Sequence, residues 1–189
     1  MSTFKKLALC AALATGLAAP AAHADVINFA GYGTGNTGLS TLSIGIATFA
    51  ITGGTVFTYA PGFPDFASGG ICALSGGSCQ TDWSLSFSTA ITNFAFEADY
   101  FNPVDSVVVT AFNGVTQVGS LVVGANGSYS FGGATITSIT FNDSSTGAGF
   151  GFGDFSYDLA ASGVPAPATL ALVGLGLLAL GASRRTRAG

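Results

Sequence analysis

Apolar and polar residues alternate with a period of two through the middle of the chain. Residues 83–88 read Trp-Ser-Leu-Ser-Phe-Ser, and residues 94–100 read Phe-Ala-Phe-Glu-Ala-Asp-Tyr. In a β-strand this period places one set of side chains in the core and the other in water. Both segments are therefore predicted to be half-buried strands.

Further runs extend the prediction over residues 25–163. Residues 107–112 are a β-branched apolar run typical of a central strand. Other strands are predicted at residues 26–30, 39–51, 55–60, 117–123, 128–131, 134–141 and 150–159. Asn126-Gly127 predicts a hairpin turn, and residues 61–82, rich in Gly, Ser and Pro, predict a long loop. Because no window has helical periodicity, the predicted fold class is all-β, an antiparallel β-sandwich or jelly roll.

The N-terminal segment has the composition of an export signal. Lys5 and Lys6 precede the apolar residues 7–19, and Ala22-His23-Ala24 is a small-x-small cleavage sequence. This order predicts a secretory signal peptide over residues 1–24. The sandwich domain is then predicted to begin at residue 25.

The C-terminal segment has the composition of a membrane anchor. Residues 164–183 contain no charge, and a helix of 20 residues spans roughly 30 Å, the thickness of a hydrocarbon core. Arg184, Arg185 and Arg187 follow directly, and such a cluster resists translocation. The pattern predicts a transmembrane helix with a stop-transfer signal, so that the sandwich domain lies outside the inner membrane.

The residues that open this segment carry a resemblance to a known family. Val164-Pro165-Ala166-Pro167, then the Leu/Gly-rich span and the terminal arginines, resemble the PEP-CTERM sorting signal. The resemblance implies an exported protein of an exopolysaccharide-producing Gram-negative bacterium, processed by an exosortase-type enzyme. It also implies a membrane-anchored precursor that passes to the outer surface or extracellular matrix. Ala166 stands where the family usually has Glu.

The charges divide the chain in the same way. All five Lys and Arg lie in the two end segments, whereas all nine acids lie between Asp25 and Asp158, and the single His is His23. The predicted domain therefore has a formal charge of −9, from nine acids and no bases. Catalysis by an imidazole-activated nucleophile is excluded, and nucleic acid is excluded as a partner. A non-catalytic envelope or matrix protein is the first functional hypothesis.

The acids allow two kinds of chemistry. Glu97 and Asp99 lie two apart on one predicted strand, so they are either a carboxylate pair for glycoside hydrolysis or a solvated outer face. Without an internal cation, carboxylates can also bind Ca²⁺, which takes oxygen ligands from irregular loops. Two candidate groups are present: Asp99, Asn102 and Asp105, and Asn142, Asp143 and Asp154.

The cysteines and aromatic residues complete the list of candidates. Cys72 and Cys79 are predicted to form a disulfide in an oxidising compartment, with a thiol or metal pair as the alternative. Trp83 and Tyr100 are candidate stacking surfaces for a sugar, although an aromatic residue in an alternating strand also fits a core position. Tyr32, Tyr59 and Tyr129 also lie near predicted strand ends. A glycan-binding module or adhesin, with or without Ca²⁺, is therefore the second hypothesis, and a carboxylate hydrolase is the third.

Overall fold

The computed structural model describes residues 24–63, 65–145 and 149–160. These residues form thirteen strands with antiparallel pairing. In chain order they are β1 (Asp25–Val26), β2 (Gly35–Asn36), β3 (Thr41–Ile44), β4 (Ala47–Ile51), β5 (Thr55–Tyr59), β6 (Gly70–Ser75), β7 (Ser78–Cys79), β8 (Trp83–Asp99), β9 (Val107–Asn113), β10 (Thr116–Val123), β11 (Gly127–Phe131), β12 (Ile136–Asp143) and β13 (Gly151–Leu159).

The segments predicted to direct export and anchoring fall outside this description. Residues 1–23 and 164–189 belong to the predicted signal peptide and C-terminal sorting signal, and the structure describes neither. No helix long and apolar enough to cross a membrane is found in the part of the chain that the structure covers.

Strand β8 organises the fold because it belongs to two sheets. Its first half pairs with β4 and β12, and its second half pairs with β11 and β13. Sheet I has the order β3-β4-β8-β12-β9-β10, and sheet II has the order β11-β8-β13-β6-β5-β2. The result is the predicted all-β antiparallel sandwich.

The transfer of β8 between the sheets explains why its sequence shows two separate alternating series. Asn93 has a φ of 53°, a left-handed conformation that Asn tolerates better than most residues. Buried positions are odd-numbered before this point, as at Leu85 and Phe87, and even-numbered after it, as at Phe94 and Phe96. The two predicted strands are therefore one strand of 17 residues with a break in its alternation.

Aromatic rings fill the space between the sheets. Phe49 of sheet I lies 5.6 Å from Phe155 of sheet II, measured between ring centroids, and both are fully buried. Trp83 stacks on Phe141 at 3.7 Å and lies 5.6 Å from Phe152. Because each buried aromatic side chain removes 150–250 Å² from water, these rings are a major source of the stability of the sandwich.

The prediction of a loop over residues 61–82 was wrong, because these residues contain β6, a strand inside sheet II. Ile71 and Ala73 face the main core, whereas Cys72 packs in a smaller cluster on the opposite face. At Gly70 an added Cβ would lie 2.9 Å from the Phe66 ring. Glycine at position 70 lets the Phe66 ring pack closely against β6. The Gly, Ser and Pro content of residues 61–82 had suggested a loop.

Two other sequence predictions also differ from the structure. The turn predicted at Asn126-Gly127 does not make a hairpin, because β10 pairs with β9 and β11 pairs with β8. Residues 124–126 cross from sheet I to sheet II. The single strand predicted over residues 39–51 is two strands, β3 and β4, separated by a turn at Gly45, whose φ is 60°.

Candidate functional site

The outer face of sheet II, the face turned away from sheet I, is built from a row of directly opposed residues. The row crosses five strands in the order Tyr59, Gly70, Gly153, Glu97 and Ser128. Large or polar side chains stand at both ends, and glycines occupy the middle. This arrangement leaves a shallow floor on which neighbouring rings can lie.

The glycines of β13 are required by the rings that cover them. A Cβ on Gly151 would lie 2.7 Å from Cε2 of Tyr59, and a Cβ on Gly153 would lie 2.5 Å from Cδ1 of Phe66. Real Cβ atoms do not approach other atoms this closely. Only glycine lets the two rings lie against the backbone of β13.

Three rings form a surface above this floor, which we call the aromatic platform: Tyr59, Phe63 and Tyr100. The Tyr59 ring centroid lies 6.3 Å from that of Phe63 and 6.0 Å from that of Tyr100. Tyr59 is buried, whereas Phe63 is 48% exposed and Tyr100 is 36% exposed. The outer two rings therefore offer apolar surface to solvent while Tyr59 supports them from within.

A groove of about 380 Å³ lies beside the platform. Its lining includes Thr34, Phe57, Tyr59, Phe63, Cys79 and Gly149. The predicted disulfide is present and joins Cys72 of β6 to Cys79 of β7, with a Cα–Cα distance of 5.5 Å. The Tyr59 hydroxyl lies 3.6 Å from the Cys79 sulfur, so the disulfide buttresses the central ring of the platform.

The phenols of the platform are held in the neutral state. Burial, followed by the charges of Tyr100 and Asp99, raises the pKa of Tyr59 to about 12. Burial, followed by the carboxylates of Asp99 and Asp65, also raises the pKa of Tyr100 above its usual value. Both hydroxyls therefore retain their protons, and their capacity to donate hydrogen bonds, at physiological pH.

Carboxylates border the platform on the side of β8. Glu97 Oε1 accepts a hydrogen bond of 3.1 Å from the Ser128 hydroxyl. Asp99 Oδ1 accepts bonds from the Tyr100 amide at 2.8 Å and from Asn126 Nδ2 at 2.7 Å. The two acids share one outer face, and each is oriented by neighbouring hydrogen-bond donors.

The structure separates the two aromatic residues that the sequence proposed for sugar stacking. Tyr100 lies on the platform, but Trp83 is only 3% exposed, with Phe141 stacked on its face. The suggestion that Trp83 stacks a sugar was therefore wrong, because no face of its ring is open. Tyr129 likewise stacks on Phe96 at 5.6 Å, which places it against the core.

Sequence reasoning missed Phe63 and the glycines of β13. Phe63 lies in the segment interpreted as a loop, where no alternation marks a functional face. Gly151 and Gly153 flank Phe152 in a strand that was otherwise predicted. The Gly-x-Gly pattern within that strand was the available signal, because interior glycines often mark close approach by another group.

The two predicted calcium groups differ in their surroundings. Asp143 accepts hydrogen bonds from the amide and hydroxyl of Ser145, while Asp154 accepts from the amides of Ala67 and Ser68. These two acids are therefore committed to different loops. Within the described residues, no three His, Cys, Asp or Glu side chains gather in one metal-binding group. Asp99, Asn102 and Asp105 share one loop, which is considered below.

Comparisons with known proteins bear on the C-terminal segment and the fold. Residues 163–185 match the family model of the PEP-CTERM protein-sorting motif, so the resemblance found in the sequence is confirmed. The motif implies an exported protein that is processed by an exosortase. No curated protein sequence matches the chain.

Among solved structures, the chain is similar to variants of a family 29 carbohydrate-binding module. Two of them are 16% identical and cover 72% of this chain, with TM-scores of 0.41 and 0.40. A third is 13% identical, with a TM-score of 0.34 over the same share of this chain. The matches cover 91–92% of the modules themselves. At these TM-scores they are no guide to the ligand of this chain.

Proposed function

We propose that this chain is an exported, non-catalytic protein of the envelope or extracellular matrix whose β-sandwich binds a glycan on the aromatic platform. The sorting motif at residues 163–185 supports export and removal of the C-terminal segment by an exosortase-type enzyme. The partner glycan is an exopolysaccharide or another surface polymer.

The observation that carries the proposal is the combination of open rings and a groove on one sheet face. Phe63 and Tyr100 present apolar ring surface, and Tyr59 fixes their spacing. The groove of about 380 Å³ falls within the 300–1,000 Å³ range of small-ligand sites. Aromatic rings offer a large rigid contact area at low cost in conformational entropy, and the apolar C–H face of a sugar ring can stack on such a surface.

The polar border specifies the class of sugar. Glu97 and Ser128 supply acceptor oxygens beside the platform, and sugar hydroxyls are hydrogen-bond donors. Residues 25–163 contain no basic side chain, so a uronate or sulfated polymer would meet only like charge. An uncharged glycan is therefore the expected ligand.

The same geometry argues for binding over hydrolysis. One oxygen of Glu97 and one of Asp99 accept hydrogen bonds from neighbouring groups of the fold. Glycoside hydrolysis needs two carboxyl groups that reach the scissile bond, and Asp99 does not offer one, because its Oδ2 is buried and its Oδ1 already accepts two hydrogen bonds. Glu97 consequently acts as a hydrogen-bond acceptor that orients a bound sugar.

The binding test uses isothermal titration of the full chain in detergent micelles with soluble neutral β-glucan and mannan, and with alginate as an acidic polymer. A neutral glycan is expected to bind, and Tyr100→Ala and Phe63→Ala are each expected to weaken binding at least tenfold. Phe112→Ala is the matched control, because it removes an aromatic side chain that lies on sheet I. Binding that is absent in the wild type, or unchanged in both platform variants, would contradict the proposal.

The sorting half of the proposal has a separate test. Mass spectrometry of the mature protein from an exosortase-positive host is expected to show a chain that lacks Arg184, Arg185 and Arg187. An intact C-terminus in that host would refute processing, whatever the result of the glycan titration.

A further inference from the structure

Two carboxylates at the ends of one loop each have a buried oxygen without a hydrogen-bond partner. The loop, residues 100–106, carries the chain from β8 in sheet II to β9 in sheet I. Asp99 stands directly before it, and Asp105, only 3% exposed, lies near its end. Among the described residues, Asp99 Oδ2 and Asp105 Oδ1 are buried and accept no hydrogen bond.

The other oxygen of each carboxylate is fixed by the loop itself. Asp99 Oδ1 accepts from Asn126 Nδ2, and Asn126 Oδ1 accepts in turn from the Phe101 amide at 2.7 Å. Asp105 Oδ2 accepts from the Asn102 amide at 2.7 Å, while the Asn102 carbonyl accepts from the Asp105 amide at 2.9 Å. Each acid is thus oriented through one oxygen and leaves the second free.

This state is costly unless a cation completes it. Buried charges are normally paired or coordinate a metal, and an unsatisfied buried charged group costs more than a neutral one. Residues 25–163 supply no Lys, Arg or His. No side chain of that segment can therefore neutralise Asp99 or Asp105.

We propose that this loop binds Ca²⁺ through Asp99 Oδ2 and Asp105 Oδ1. Ca²⁺ takes six to eight oxygen ligands and accepts carboxylates, amide oxygens, backbone carbonyls and water in irregular geometry. The Asn102 side chain and the carbonyls of the loop are the candidates for the remaining protein ligands. Only two acids contribute, so water completes the coordination shell.

The site has a consequence for the platform. Tyr100 follows Asp99 directly and has a φ of 65°, a strained conformation for a residue of its size. A cation held at Asp99 and Asp105 fixes the loop that carries Tyr100. The Ca²⁺ site nevertheless rests on the two unpartnered buried oxygens and does not depend on glycan binding.

The test is thermal melting of the full chain in detergent micelles, with Ca²⁺, with Mg²⁺ at equal concentration, and with chelator. We expect saturating Ca²⁺ to raise Tm by roughly 5 °C or more over chelator, and Mg²⁺ to raise it less. Asp105→Asn is expected to melt higher than the wild type in chelator and to lose the response to Ca²⁺. Asp158→Asn, which changes a carboxylate bonded to Asn93, should keep the full response.

Three results would contradict the proposed site. The wild type could have the same Tm in Ca²⁺ and in chelator, or Mg²⁺ could raise its Tm as much as Ca²⁺ does. Asp105→Asn could also keep the full rise in Tm with Ca²⁺. Terbium luminescence provides a second measurement that does not depend on melting. Tb³⁺ is expected to be sensitised in the wild type and displaced by Ca²⁺, and Asp99→Asn should reduce the signal if Asp105→Asn fails to fold. An unchanged signal in Asp99→Asn would refute the assignment.

Discussion

The outer faces of the two sheets are built from different kinds of side chain. On sheet I, one row of opposed residues across six strands reads Thr41, Ala50, Ser84, Thr140, Thr110 and Ser120. On sheet II, the corresponding row contains an aromatic ring, two glycines, a carboxylate and a hydroxyl. Small hydroxyls bond to one another along sheet I, as Ser43 does to Thr48 at 3.0 Å. Sheet II instead carries rings with open faces.

Under the proposed function, the binding surface and the hydroxyl-rich surface lie on separate faces of one sandwich. The hydroxyl row on sheet I presents no charge, and its members hydrogen-bond to one another, as Thr110 and Ser120 do. The large apolar side chains exposed on this sheet, such as Val122, are aliphatic and not aromatic. Exposed rings on sheet II cost solubility, and monomeric proteins rarely retain such patches without a use. The contrast predicts that substitutions on or beneath the two faces will separate stability from binding.

The largest loss of stability is expected at Trp83, which lies in the core. It is compared with Tyr100, which lies on the platform. Trp83→Ala removes a buried ring that contacts both sheets, so the free energy of unfolding should fall by about 3–5 kcal/mol. Tyr100→Ala removes a partly exposed ring and should cost less than about 1 kcal/mol. Urea denaturation measures both values, and equal losses would contradict the division between core and platform.

The next effect concerns the disulfide that buttresses Tyr59. Reduction of Cys72–Cys79 should lower the free energy of unfolding by about 2–3 kcal/mol, because the unfolded chain gains the entropy of a short open loop. Denaturation with and without a reductant measures the loss. The double variant Cys72→Ala with Cys79→Ala is the control and should not respond to the reductant.

A comparable or smaller effect is expected from the glycine floor. Gly153→Ala places a Cβ against Phe66 and 2.8 Å from the Gly69 carbonyl oxygen, and overpacking of this kind costs about 1–3 kcal/mol. Gly132→Ala is the matched control, because its Cβ would meet nothing within 4 Å. Thermal melting compares the two, and an unchanged Gly153→Ala would mean that Phe66 does not lie on β13 as described.

The smallest effect is expected from alkaline pH. Folding raises the pKa of Tyr59 from 10.0 to about 12, so the native state retains a proton that the unfolded chain loses between these values. Stability should be unaffected below about pH 10 and fall as pH rises toward 12, by about 1 kcal/mol at pH 11. Tyr59→Phe should reduce this loss without removing it, because the pKa values of Tyr100 and Tyr157 are also raised. A loss that begins well below pH 10 would point to another group.

The sequence predicted features that depend on local pattern. The alternation around Trp83 and Phe94 predicted buried strands and the sandwich class, and the spacing of Cys72 and Cys79 predicted the disulfide. These predictions succeeded because a period of two and a short Cys loop are local properties of the chain.

Features that depend on long-range contacts were not predicted. Tyr59 and Tyr100 are far apart in the sequence and meet only because β6, β13 and β8 lie side by side in sheet II. Gly70 belongs to β6, which was predicted to be a loop because residues 61–82 are rich in Gly, Ser and Pro. The free oxygen of Asp105 is likewise visible only after the loop has folded around it.

The position of β13 in sheet II has a consequence for the order of events during export. This last strand pairs with β8 on one side and with β1 and β6 on the other, so sheet II cannot close until Leu159 has emerged. The sorting motif begins at residue 163, four residues or at most about 14 Å of extended chain beyond that point. In a chain that is exported N-terminus first, β13 and the sorting motif are released almost together. Under the proposed processing, closure of the sheet and recognition by the enzyme would thus depend on the same short stretch of polypeptide.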